Sequence, residues 1–179
     1  GQYRELGRTV AHAVEATARN IERGQTEEEV AGQVGHRLIR HGVEPTQVSV
    51  AADGRAATYR RAGFAAVPVT RTCLIQATGQ RDGLFVTCSR AVSFGPPPDD
   101  LRAAHDLAAK QAALCRVVAR PGVSIGEAGE VARGVLAGTP FEFDWRLSQP
   151  GYGTGRFPAE ELRKAGLEDP LEGGMAVVR

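Results

Sequence analysis

The chain has 179 residues and a mass of 19.0 kDa, a length that suits one domain of about 100–200 residues better than two. Its 22 Lys+Arg against 21 Asp+Glu leave a net charge of +1, which excludes a basic nucleic-acid stripe or an acidic tail as the default reading. With 42% hydrophobic and 24% charged residues, the composition is that of a globular protein and not of a disordered one. No apolar run approaches the roughly 18 residues of a membrane span, and no apolar region follows Arg4 and Glu5 as a signal peptide would need. The three cysteines, Cys73, Cys88 and Cys115, lack Cys-x-x-Cys spacing, so the thiols read as reduced and the setting as cytoplasmic.

Residues 5–23 carry Leu6, Val10, Ala13, Val14, Ala18 and Ile21 at helical spacing and end at Gly24. Thr26-Glu27-Glu28-Glu29 is a capping box, in which the Thr26 hydroxyl caps a helix start and Glu29 reaches back. The helix it opens runs through Val30, Val34, Leu38 and Ile39 to about Gly42, and the alternating Gln47-Val48-Ser49-Val50 predicts a strand. A hairpin follows: Cys73–Ala77 and Leu84–Cys88 flank Gly79–Gly83, which reads as the turn.

The order then recurs. A helix begun at Asp99 or Asp100 carries Leu101, Ala104, Ala108, Leu114, Cys115 and Val118 and ends at Pro121-Gly122. A second capping box, Ser124 to Glu127, opens a helix through Val135 and Leu136 that Gly138 closes. Gly24 and Gly122, Thr26 and Ser124, and Glu29 and Glu127 are each 98 apart, which predicts a duplicated half-domain, 1–97 and 98–179. By the same offset a second hairpin starts near Leu171, yet the sequence stops at Arg179 with no partner strand and so reads as cut short. The aromatic run from Phe141 to Trp145 reads as packing.

Four stretches in this order resemble one family. They are Glu22–Glu29, Ser89–Gly95, Arg120–Ser124, and Gly151-Tyr152-Gly153-Thr154-Gly155 followed by Pro170–Met175. Together they are similar to the pita-bread fold of methionine aminopeptidases, Xaa-Pro aminopeptidases, prolidases and creatinase. The resemblance implies an α+β fold of duplicated helix-helix-strand halves around a curved antiparallel sheet, in many relatives preceded by an N-terminal domain. It also implies self-association as a homodimer.

The peptidases of that family hold two divalent ions, Mn, Co or Zn, through two Asp, one His and two Glu, and so stabilise a tetrahedral intermediate. Counting back from Arg90, the two Asp positions fall on Gln76 and Thr87, which are expected to pair across the hairpin on one face. Neither is charged, and a threonine cannot replace a bridging carboxylate. Tyr152 stands at the His ligand, Ala159 and Glu160 at a following His-Glu pair, and an earlier His falls near Tyr59-Arg60-Arg61, where there is none. Both Glu ligands would come after Arg179. No metal or other cofactor is therefore expected. His12, His36, His41 and His105 lie on predicted helices away from these positions and read as surface or packing residues. Cys88 points away from Thr87 and reads as a core thiol. Tyr59, Arg60, Tyr152 and Glu160 either line a polar pocket or are a satisfied remnant of one.

The expectation is a non-catalytic peptidase relative that uses the old cavity to bind a small molecule, a peptide or a protein, with neither nucleic acid nor membrane as partner. The alternative is a hydrolase, peptidase or creatinase-like, with relocated or metal-free chemistry.

Overall fold

In a computed structural model, which describes residues 1–59, 62–147, 152–154, 170–171 and 176–178, the chain divides into two units, Gly1–Pro97 and Pro98–Arg179. The first unit begins with α1 (Gln2–Asn20), whose Leu6, Val10, Ala13, Val14 and Thr17 recur every three or four residues and are all buried. In α2 (Glu27–Arg40) the predicted capping box is made. The Thr26 hydroxyl accepts the Glu29 N–H (3.2 Å) and the Glu29 carboxylate accepts the Thr26 N–H (2.7 Å). Its Val30, Ala31, Val34 and Leu38 are buried.

Three antiparallel strands follow, β1 (Glu44–Ala52), β2 (Thr72–Arg81) and β3 (Leu84–Ser93), in that order across the sheet, with a short helix α3 (Arg55–Thr58) after β1. The hairpin is tighter than the sequence suggests. Only Asp82 and Gly83 form its turn, both at positive φ (53° and 75°), and pairing continues to Arg81 against Leu84. Gly79, expected in the turn, is inside β2. A Cβ there would stand 2.5 Å from Val43 Cγ1 and 2.7 Å from Val10 Cγ2, so only glycine lets α1 pack this close.

One face of this sheet, with Val50, Ala52, Cys73, Ile75 and Ala77, joins the α1 and α2 residues in a single core, against which Val86, Cys88 and Val92 pack. Each fully buried Val, Leu or Ile contributes about 1.5–3 kcal/mol, so this face fixes the register. The other face carries what alternation leaves: Gln47, Ser49 and Ala51 on β1, Leu74, Gln76 and Thr78 on β2, and Thr87, Ser89 and Ala91 on β3.

The second unit contains α4 (Asp99–Val118), α5 (Ile125–Gly134), a single 3-10 turn (Asp144–Leu147) and the antiparallel pair β4 (Tyr152–Thr154) and β5 (Ala176–Val178). Its capping box repeats the first: Ser124 Oγ accepts the Glu127 N–H (3.1 Å) and Glu127 accepts the Ser124 N–H (2.8 Å). α5 stops at Gly134, before the predicted Gly138, and tightens into turns in which Leu136 N–H reaches Arg133 O. Both units bridge the residue before the helix to a later proline, Thr26 to Pro68 and Ser124 to Pro170. Likewise Gly24 N–H donates to Val69 O and Gly122 N–H to Leu171 O. Leu171 thus matches Val69 and not Cys73, and it precedes β5 instead of starting a strand. The stretch from Ser124 to Pro170 is four residues longer than that from Thr26 to Pro68, which a fixed offset cannot follow.

His12, His36, His41 and His105 are all exposed, His41 at the end of α2 instead of within it. Phe143 is 60% exposed with the Arg146 guanidinium over its ring, so this part of the aromatic run is not packed inside. Among the described residues no helix is long and apolar enough to cross a membrane.

Candidate functional site

The outer face of the β1–β2–β3 sheet holds Gln76 and Thr87, the positions to which the resemblance assigns the two Asp. Gln76 lies at the middle of β2, half-buried, flanked by Ser49 on β1 and Ser89 on β3. The expected Gln76–Thr87 pair does not form, because the two-residue turn sets the register so that Thr87 faces Thr78. Gln76 and Thr87 still share a face, but diagonally, with about 7 Å between them. The Thr87 and Thr78 hydroxyls hydrogen-bond to each other (2.8 Å). The Gln76 amide has no hydrogen-bond partner among the described residues.

Every polar side chain on this face from Gln47 to Ser89 is an amide or a hydroxyl. A pair of divalent ions needs anionic bridging oxygens. A neutral amide and a hydroxyl already engaged by Thr78 do not supply them, so these two positions do not fit the dinuclear group. Among the described residues no three His, Cys, Asp or Glu come together as metal ligands would. Tyr152 opens β4, opposite Val178, in the second unit. Ala159, Glu160 and Arg60 lie outside the described residues. Tyr59 ends α3 and is 55% exposed, its ring 5.5 Å from the Arg55 guanidinium carbon, so it stands on a surface loop and not in an enclosed pocket.

Two carboxylates that sequence reading passed over organise the loop beside this face. Glu27, with its side chain fully buried, accepts from Ala52 N–H (2.7 Å), from Ala65 N–H (2.8 Å) and from the Arg55 guanidinium. Asp53, at φ 48°, accepts from the N–H groups of Thr70 (2.9 Å), Arg71 (2.8 Å) and Thr72 (2.9 Å) and from the Thr70 hydroxyl (2.5 Å). One carboxylate holds the beginning of the loop and its middle, and the other ties its beginning to its end. No local signal could have found either, since the partners lie 17 to 38 residues away.

Partial burial opposes ionisation of Asp53, but the Thr70 hydroxyl and the three backbone N–H groups outweigh it and hold the carboxyl down at about 2. Because the folded value lies below the ordinary 3.8, the stabilisation it confers is complete above about pH 4 and is lost as the pH falls toward 2. Denaturant titrations between pH 5 and 2 should therefore show a steeper loss of stability in wild type than in Asp53→Asn.

Two of the thiols, Cys73 and Cys88, face the core. Burial, helped by the Glu27 and Asp53 carboxylates, pushes Cys73 up to about 12. Cys88 is half-buried on the core side of β3, with the Arg90 guanidinium 3.4 Å from its sulfur. Arg90 itself donates to Glu15 of α1 (2.7 Å), and this bond, with a second from Arg19, lowers the Glu15 carboxyl. Arg90, the residue from which the Asp positions are counted, thus serves the fold from the opposite face.

These elements define an α+β fold of the pita-bread class. The chain belongs to metallopeptidase family M24, whose model matches residues 1–178. Among solved structures it is similar to the prolidase from Pyrococcus furiosus, with 22% identity and a TM-score of 0.86 over 97% of this chain and 52% of that one. It is also similar to the Xaa-Pro dipeptidase from Bacillus anthracis (20%, TM-score 0.83, 97% and 50%) and to aminopeptidase P from E. coli (18%, TM-score 0.82, 97% and 44%). The chain spans about half the length of these proteins, and at such identities the likeness is one of fold. No curated protein matches its sequence.

Proposed function

We propose that this chain is a prolidase-like domain that no longer performs two-metal peptide hydrolysis and uses the vacated face to bind a peptide, protein or small molecule. The observation that carries this reading is the Thr78–Thr87 hydroxyl bond beside the neutral Gln76, at the two positions where the resemblance puts bridging carboxylates. The scaffold of the same motifs is intact, since the Thr26–Glu29 box and the Arg90–Glu15 pair are both made. A single pita-bread-like domain over 1–179, built of the repeats 1–97 and 98–179, is part of the proposal. The matching capping boxes and proline bridges support it.

The test is metal analysis of the purified protein together with Xaa-Pro dipeptide hydrolysis in the presence of Mn, Co or Zn. The expected result is no stoichiometric metal and no hydrolysis above background. Two tightly held ions per chain with turnover of an Xaa-Pro dipeptide would overturn it.

A further inference from the structure

We propose that His12 of α1 and His41 at the end of α2 form a surface site for one imidazole-favouring divalent ion, Cu2+, Ni2+ or Zn2+. The two rings stand edge to face, with centroids 6.3 Å apart and planes at 83°. Imidazoles that share an ion at about 2.0–2.1 Å from each nitrogen place their centroids about 4.5 Å apart when the ligands meet at a right angle and about 6.4 Å apart when they are opposed. The separation here lies inside that range, at its open end, and rotation of two exposed side chains closes it further. Neither ring has a hydrogen bond or an ion pair among the described residues, so its nitrogens are free to ligate.

The backbones that carry the two rings are fixed before any ion arrives. Val10 of α1 and Val43, just past His41, both press on Gly79 of β2, where a Cβ would stand 2.7 and 2.5 Å from them. The His41 N–H donates to Leu38 O and Ile39 O, which closes α2 without using the imidazole. An ion on both rings therefore ties α1 to α2 in the folded chain, whereas the unfolded chain does not hold the two histidines together. The ligands decide which ion fits. No Asp, Glu or Cys joins the pair as a third ligand among the described residues. Two nitrogens without carboxylate or thiolate suit Cu2+, Ni2+ or Zn2+, with water completing the shell, and not Mn2+. The pair belongs to the helices that cover the core side of the sheet, away from Gln76 and Thr87, so it stands independently of the function proposed for that face. Two exposed ligands also hold an ion loosely enough for a chelator to strip it.

The test is thermal unfolding of the full chain with Ni2+ at about pH 7.5, where imidazole is a ready ligand, together with calorimetric titration of the ion. The titration should give one ion per chain. Ni2+ at about a hundred times its dissociation constant should raise the unfolding midpoint by roughly 5 °C or more. Cu2+ should act at lower concentration than Ni2+, and Mn2+ should leave the midpoint unmoved where Ni2+ saturates. His12→Ala and His41→Ala, both at exposed positions, should each remove most of the rise. The double variant should lose no more than either single one, because a shared ion is lost with its first ligand. His36→Ala and His105→Ala should keep the rise in full. No rise in wild type, a full rise in His12→Ala or His41→Ala, or losses that add in the double variant would overturn the proposal. So would a rise that His36→Ala or His105→Ala abolishes, or one ion bound per two chains.

Discussion

Replacing Glu27 with alanine is expected to lower stability by about 3–5 kcal/mol, the cost of breaking a buried ion pair from one side. The change strands the Arg55 guanidinium, whose side chain is only 24% exposed, and leaves the Ala52 and Ala65 N–H groups without their acceptor. For a chain of this length such a loss moves the unfolding midpoint by roughly 10 °C or more. Glu27→Gln should do less harm, because its carbonyl still accepts one N–H, but it too leaves Arg55 uncompensated. Arg55→Met combined with Glu27→Met should cost less than the sum of the two single changes, since neither charge is then left alone. Thermal unfolding of these variants, with limited proteolysis to report on the loop after β1, measures both the loss and where it begins. A Glu27→Ala chain within about 1 kcal/mol of wild type would show that the clamp does not hold the loop.

The contrast between Glu27 and Glu29 shows what a sequence can disclose. Glu29 acts on a residue three positions away, and its box is written in Thr26-x-x-Glu29 itself. Glu27 carries the same side chain two positions earlier, but its partners are 25, 28 and 38 residues distant, so nothing local separates it from an exposed first-turn acid. The hairpin lies between these cases. Asp82-Gly83 announced a turn, but the strand length depended on Gly79 fitting against Val10 and Val43, which no pattern within β2 reveals. Once the turn is known to be Asp82-Gly83, Thr87 must face Thr78 and Gln76 must face Ser89, so two positions eleven residues apart are not a direct pair. The second unit failed in the same manner: both capping boxes were legible, yet four added residues before Pro170 moved Leu171 out of its expected strand.

The family's motifs combine residues of two kinds, and the sheet separates them. Thr26, Glu29 and Arg90, the last through Glu15 of α1, serve helix and core contacts, whereas Gln76 and Thr87 point to the other face and contribute nothing to that packing. A face that the core does not hold can change its side chains while the scaffold stays fixed. The double variant Gln76→Asp with Thr87→Asp tests whether only charge separates this face from an ion site. It removes the Thr78–Thr87 bond, worth about 1 kcal/mol, and sets two carboxylates about 7 Å apart, which at an effective dielectric of about 20 repel by roughly 2 kcal/mol. Without metal the variant should therefore be less stable than wild type by about 2–4 kcal/mol. A divalent ion that favours carboxylates relieves the repulsion and binds only the folded chain, so millimolar Mn2+ should restore most of the loss. Wild type, with an amide and an engaged hydroxyl at these positions, should not respond. Unfolding midpoints with and without Mn2+ decide the matter: an equal rise in both proteins would mean that ions bind elsewhere, and no rise in the variant would mean that the backbone of this face, and not only its charge, has left the metal geometry behind.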